Sequence, residues 1–245
     1  MSQLEDLAIA YRVLAEHGVI DGYGHVSVRS ECDPSHYLLA RSLAPELVTV
    51  QDIIEYDLDS KPLDAGGHES VRERFIHGEI YKSRPEIMAV VHNHSPSVVP
   101  FSVTTQPLRP LFHMAAFVGQ GIPNFEIRDA EDGTDLLVKT PYLGQALARC
   151  LGDKPAALMR GHGSVTVGEN LPRAVGRSIY LEMSARMQMQ AMMIAGPGGE
   201  ITWINEREVA ASVPVQDYGR AWVMWRANAL ARMRTEQAAI REERK

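Results

Sequence analysis

Three histidines in this chain are spaced as metal ligands would be. His92 and His94 flank Asn93 at the end of an apolar run, Ile87 to Val91, that reads as a short buried strand. Side chains alternate along a strand, so His-x-His sets both imidazoles on one face. Taken alone, the pair also fits two hydrogen-bonded structural histidines. His162 is the third, in Arg160-Gly161-His162-Gly163, between the buried strand Ala156 to Met159 and a second strand, Ser164 to Val167. A core histidine has little need of glycine on both sides; a ligand at a sharp turn does. Three neutral imidazoles with a fourth position open form the layout of a catalytic metal site rather than a closed structural one. Imidazole suits zinc, iron, copper or nickel, and an added carboxylate widens the choice to manganese.

Glu73 is the candidate carboxylate. Ser70-Val71-Arg72-Glu73 also fits a capping box, with serine at the N-cap and glutamate at N3, which would explain Glu73 without chemistry. The helix it opens, Ser70 to Ser83, stops at Arg84-Pro85 just before the His92 strand. It therefore packs beside that strand, with its first turn toward the histidines. There Glu73 could be a fourth ligand or a proton carrier. His77, one turn on, is placed to hydrogen-bond Glu73 from behind.

The elements that must hold these residues alternate along the chain. Leu4 to His17 has a helical apolar period and ends at Gly18. Asp21-Gly22-Tyr23-Gly24 turns into a strand through Val26 and Val28, partnered by Tyr37 to Ala40; Ile53 to Leu58 is a third strand. After Ser97 a helical piece runs to Val103, and Leu111 to Val118 is an apolar run containing His113. Phe125 to Arg128 and Leu136 to Lys139 read as short strands or loop edges. Pro141 opens a helix to Leu151, and Pro172 a long one to Ile194, whose methionines, Met183 to Met193, are core. Ile201 to Ile204 reads as a last strand. Tyr218 to Lys245 holds a helix with Trp222, Trp225 and Met233 on one side. Mixed helices and strands without a linker predict one α/β domain over residues 1–245.

Composition narrows the partners. The chain has 245 residues, 45% hydrophobic and 23% charged, enough for a core without staples. Its net charge of -6 argues against nucleic acid or an anionic membrane as partner. No apolar run approaches the ~20 residues that span a bilayer, and the first 17 residues are too charged for a signal peptide. Cys32 and Cys150 are too few for a disulfide framework and read as free thiols in a reducing cytosol, so a cytoplasmic location is expected.

Glu73, His77, Tyr81-Lys82-Ser83-Arg84-Pro85, Ala89-Val90-Val91-His92-Asn93-His94 and Arg160-Gly161-His162-Gly163 together resemble the class II aldolase/adducin family, from about Leu4 to Ile194. The resemblance implies a three-layer α/β/α sandwich around a central, mainly antiparallel sheet. It implies one divalent metal per subunit on His92, His94 and His162, with zinc or manganese foremost and iron, cobalt or magnesium also in range. Glu73 would be an acid/base or metal-linked carboxylate. It further implies a homotetramer with shared active sites, the C-terminal helix 218–245 forming oligomer contacts and Tyr218 reaching a neighbour's site as a proton donor.

The departures from the sugar-phosphate aldolases point away from phosphate. Gly24-His25-Val26-Ser27 has histidine where those enzymes have asparagine. Ala40-Arg41-Ser42-Leu43 lacks their glycine, and Val71-Arg72 replaces a serine pair. A phosphate cradle needs free amides and small side chains. His25, Ser27, Arg41, Ser42 and Arg160 instead suit a small-molecule carboxylate, although Arg41 and Arg160 also read as surface ion pairs. Arg41-Ser42-Leu43-Ala44-Pro45-Glu46-Leu47 and Phe75-Ile76-His77-Gly78 look like the family's aromatic-acid branch, which includes decarboxylases of hydroxy-pyridine and hydroxy-phthalate carboxylates. The leading expectation is thus a metal-dependent lyase that decarboxylates such an acid through a metal-stabilised enolate-like intermediate. The alternatives are retro-aldol cleavage of an unphosphorylated hydroxy acid, a non-haem iron oxygenase, or an adducin-like module without catalysis. His113 reads as a buried histidine near the pocket.

Overall fold

A computed structural model describes residues 2–243. Seven strands form one sheet: β1 (His25–Arg29), β2 (His36–Ala40), β3 (Ile53–Asp57), β4 (Ala89–Asn93), β5 (Asn124–Phe125), β6 (Ala156–Met159) and β7 (Gly163–Gly168). Their order is β3-β2-β1-β4-β7-β6-β5. Every pairing is antiparallel except β5 with β6. The helices are α1 (Gln3–Glu16), α2 (Arg74–Ser83), α3 (Val99–Ser102), α4 (Pro141–Leu151), α5 (Leu171–Ala195), α6 (Glu206–Ser212) and α7 (Gly219–Glu243). None is long and apolar enough to cross a membrane.

The period of the strands decides the layers. Val26, Val28, Leu38, Ala40, Ala89 and Val91 point to one side and pack under α1, α5 and α7 with Leu7, Tyr11, Val175, Trp222 and Trp225. The residues between them, including Leu39, Val90, Val165 and Val167, point to the other side and pack under α2 and α4 with Ile76, Ile80, Leu143 and Leu147. This is the expected α/β/α sandwich with a mainly antiparallel centre. A third apolar cluster joins α3, the 3-10 segment His113–Gln120 and α5.

Two local expectations differ, the start of α2 and a last strand at Ile201 to Ile204; the two segments read as short strands or loop edges and the C-terminal helix are as expected. Helix α2 begins at Arg74, not Ser70. Ser70 instead accepts a hydrogen bond from the Tyr56 hydroxyl at 3.0 Å, and Glu73 caps the helix by position without a side-chain bond. Ile201 to Ile204 is no strand; the Ile204 N–H bonds the Pro110 carbonyl at 2.9 Å and leaves the sheet unextended. Leu136 to Lys139 is a loop, because Leu136 takes φ 70°, outside strand geometry. Phe125 to Arg128 is the tail of two-residue β5 and then a 3-10 turn. The C-terminal helix runs through Glu243, and residues 244 and 245 of its expected span lie outside the described residues.

Candidate active site

Register alone gathers the site at one end of the sheet. His25 on β1 sits opposite His92 on β4, and Asn93 opposite Ser164 on β7. One further step places His94 opposite Gly163, with His162 next in the turn from β6. On the other flank Ser27 pairs with Leu39, so two residues on Arg41 lies opposite His25. Antiparallel neighbours thus bring residues 25, 41, 92, 94, 160 and 162 to one rim. His25 and His92, being directly opposite, share the face covered by α2.

Both glycines around His162 have separate causes. Gly161 has φ +63°, which side chains rarely adopt. At Gly163 an added Cβ would collide with the Asn93 carbonyl oxygen, so only glycine lets β7 start this close to the His92–His94 segment.

One atom from each of Glu73, His92, His94 and His162 lies within 4.8 Å of the other three. Nε2 of His94 and of His162 are 3.1 Å apart. Oε2 of Glu73 is 3.5 Å from His92 Nε2 and 3.6 Å from His162 Nε2. Ligands about 2.1 Å from a tetrahedral ion stand about 3.4 Å from one another, so these spacings fit a divalent cation. Backbone groups fix the rings. Nδ1 of His92 donates to the Ser164 carbonyl at 3.2 Å and Nδ1 of His162 to the Leu136 carbonyl at 2.9 Å. Each Nε2 therefore carries a lone pair toward the centre. His92 Nε2 is buried without a hydrogen-bond partner, an expensive state unless an ion accepts that pair. The other carboxylate oxygen of Glu73 accepts the Val138 N–H at 2.9 Å. One loop, through Leu136 and Val138, thus orients two of the four groups.

Charge follows the same design. Burial pushes the Glu73 carboxyl up, but the imidazoles of His92 and His162 and the Val138 N–H outweigh it and hold it at about 2. Glu73 is therefore an ionised carboxylate at neutral pH, suited to coordination and a poor resting acid. Burial lowers His94 to about 4 and also lowers His162, keeping both imidazoles neutral and ligand-ready.

The remaining predicted residues divide. His25 lies in the site, its ring 4.9 Å from that of His92. Ser27 is fully buried, and its hydroxyl bridges His77 Nδ1 at 2.6 Å and the Tyr81 hydroxyl at 2.8 Å, so it faces α2 rather than a substrate. His77 bonds His25 and Ser27, not Glu73. Arg41 pairs with Asp52 through Nε at 2.7 Å, and Arg160 with Glu126 through Nε at 2.8 Å; both are the ion-pair alternative, and among the described residues their terminal nitrogens have no partner. Ser42 is exposed and its N–H is taken by the Glu69 carbonyl at 2.8 Å, so it offers no free amide. The Tyr218 hydroxyl donates to the Met114 carbonyl at 2.8 Å, and its ring stacks on Tyr180, which engages it within its own chain. His113 is exposed rather than buried.

Residues 5–189 match the model of the class II aldolase and adducin N-terminal domain. The chain belongs to the class II aldolase and adducin family. Decarboxylase tropJ of Talaromyces stipitatus is 34% identical to this family member over 235 residues, covering 87% of this chain and 88% of that protein. A 3,4-dihydroxyphthalate decarboxylase of Arthrobacter keyseri is 29% identical, covering 84% of each. Among solved structures, the L-fuculose 1-phosphate aldolase of Glaciozyma antarctica shares the fold at TM-score 0.75 with 24% identity, covering 96% of this chain and 90% of that one.

Sequence reasoning missed the two backbone groups of the loop, since a carbonyl and an N–H leave no residue signature. It also gave His77 the wrong partner. The four-residue spacing of His77 and Tyr81 on α2 was the available signal, because it points both at β1.

Proposed function

We propose that this protein is a metal-dependent carboxy-lyase that decarboxylates a hydroxylated aromatic or heteroaromatic carboxylic acid. The convergence of Glu73, His92, His94 and His162 on one centre carries the reading, and the decarboxylase names of its relatives support the reaction class. One divalent cation per subunit, zinc or manganese foremost, would be held by these four residues. Bound there, it supplies a Lewis acid that draws electrons from an oxygen beside the breaking carbon–carbon bond.

The protein's own groups do the rest. His94 and His162 stay neutral and the Glu73 carboxylate stays ionised. Loss of carbon dioxide leaves the bond's electron pair on the ring, delocalised toward the neighbouring oxygen, and a proton then replaces the carboxylate. His25 lines the rim beside His92. The terminal nitrogens of Arg41 and Arg160 are free to hold a second carboxylate, fixed in aim by Asp52 and Glu126. With the Ser42 amide occupied, no phosphate cradle is available on that loop. The reading includes a cytoplasmic homotetramer. Tyr218 is not given a proton-donor role, its hydroxyl being engaged on Met114.

The test is carbon dioxide release from a panel of hydroxy-phthalates and hydroxy-pyridine dicarboxylates by the zinc- and manganese-loaded protein. Release is expected for at least one substrate and is expected to vanish in His92→Ala and after chelation. Aldehyde as the sole product, from hydroxy acids or sugars, would replace this reading with retro-aldol cleavage.

A further inference from the structure

A hydrogen-bonded chain runs from the candidate site into the core under α2. His25 Nδ1 is 2.6 Å from His77 Nε2, His77 Nδ1 is 2.6 Å from the Ser27 hydroxyl, and that hydroxyl is 2.8 Å from the Tyr81 hydroxyl. All four residues are buried, His25 keeping 6% of its surface. Helix α2 supplies His77 and Tyr81 four residues apart, and β1 supplies His25 and Ser27 two apart, so the four interleave across one helix–strand contact.

The protons in this chain have a forced order. Each neutral imidazole carries one N–H, and each link holds one proton. Among the described residues the Tyr81 hydroxyl has one acceptor, the Ser27 oxygen; the backbone of Val90, its other partner, offers an N–H and takes no proton. A buried hydroxyl proton without an acceptor carries the full desolvation penalty, so Tyr81 donates to Ser27. Ser27 must then donate its own proton to His77 Nδ1. His77, holding its proton on Nε2, donates to His25 Nδ1. The only nitrogen left to carry the His25 proton is Nε2. Among the described residues that atom has no hydrogen-bond partner, and its ring stands across from His92 on the face of the metal-type cluster. The reverse order would end with Tyr81 donating to nothing.

We infer that Tyr81, Ser27 and His77 lock His25 as its Nε2–H tautomer and thereby make it a neutral donor to an anionic oxygen of the substrate. The identity of that acceptor rests on the decarboxylase reading; the tautomer does not. His25 would touch substrate, and His77, Ser27 and Tyr81 are positioning residues that act through it. The arrangement selects chemistry. A fixed N–H rewards a carboxylate or phenolate oxygen and has nothing to offer an ammonium group, and a neutral ring adds no charge to the cationic centre beside it.

Nitrogen-15 NMR of the zinc-loaded protein with labelled histidine reads the tautomer directly. The expected result is His25 and His77 each with a pyrrole-type Nε2 and a pyridine-type Nδ1. In Ser27→Ala, which removes the proton accepted by His77, a second tautomer is expected to appear at both rings while the signals of His92, His94 and His162 hold still. Nδ1–H on His25 in the wild-type protein, or an unchanged single tautomer in Ser27→Ala, would overturn the lock. Phthalate, an unreactive aromatic dianion, is the probe for the acceptor. His25→Ala is expected to bind it about 10-fold or more weakly than the wild-type protein does, the loss of one hydrogen bond to a charged group. Equal affinity, or no binding by the wild-type protein, would overturn the donor role. If the decarboxylation panel fails while these results hold, the activity is wrong and the tautomer lock stands.

Discussion

His92 is the most constrained of the clustered imidazoles. It is fully buried, tied at Nδ1 to β7, and left with an unpaired Nε2 toward Glu73. Glu73→Gln keeps the shape and removes the charge. It is expected to weaken zinc binding beyond the about 10–100-fold typical of losing an outer partner, measured by competition with a chelating dye. The buried histidines also set an acid limit for the metal-free protein. Burial holds His77 at about 3 and His94 at about 4. Both folded values lie below the ordinary one near 6.5, so between these limits the unfolded chain binds more protons. Stability is then fully present above pH ~6.5 and is lost as pH falls toward those values. The urea midpoint of the metal-free protein should decline steadily from pH 7 to 4, with a shallower slope in His77→Gln.

At the scale of elements, the β6–β7 turn is where backbone geometry and site geometry meet. Gly163→Ala is expected to cost about 1–3 kcal/mol by overpacking against Asn93, and also to weaken metal binding, because the collision pushes on the segment that carries His92 and His94. Gly161→Ala has room for its Cβ and suffers from backbone strain alone, about 1–2 kcal/mol, with metal binding close to normal. Urea titration beside zinc affinity separates the two. Much of this turn was legible in advance: glycines around a histidine at a strand end have few other uses, and the period of a strand set His92 and His94 on one face. Glu73 was legible only as a position. Its capping box fails because Tyr56 takes Ser70, a contact between elements that no local pattern contains. The loop through Leu136 and Val138 was illegible for a deeper reason, since its contribution is made by peptide groups common to every residue. The guanidinium partners Asp52 and Glu126 were likewise set by tertiary neighbours and not by spacing.

For the whole molecule, the lasting consequence of an antiparallel sheet is that sequence-distant strands end together. Its far face is closed by α1, α5 and α7, and α7 turns Trp222 and Trp225 inward. Its other side leaves Val223 and Met224 68% and 55% exposed, an apolar pair that suits burial between copies. Sedimentation is expected to find a tetramer in the wild-type protein and smaller species in Val223→Asp/Met224→Asp, with the monomer fold retained by circular dichroism.

The four convergent side chains come from the N-cap of α2, the end of β4 and the turn into β7, with His94 and His162 68 positions apart. A cation seated there would act as a rivet through three parts of the chain that share no local sequence. No short fragment can bind it well, and a ribosome-bound chain has only part of the grip until residue 162 has emerged and folded back. Tight uptake therefore becomes a checkpoint on finished topology. A protein that holds its ion has, by that fact, completed its sheet.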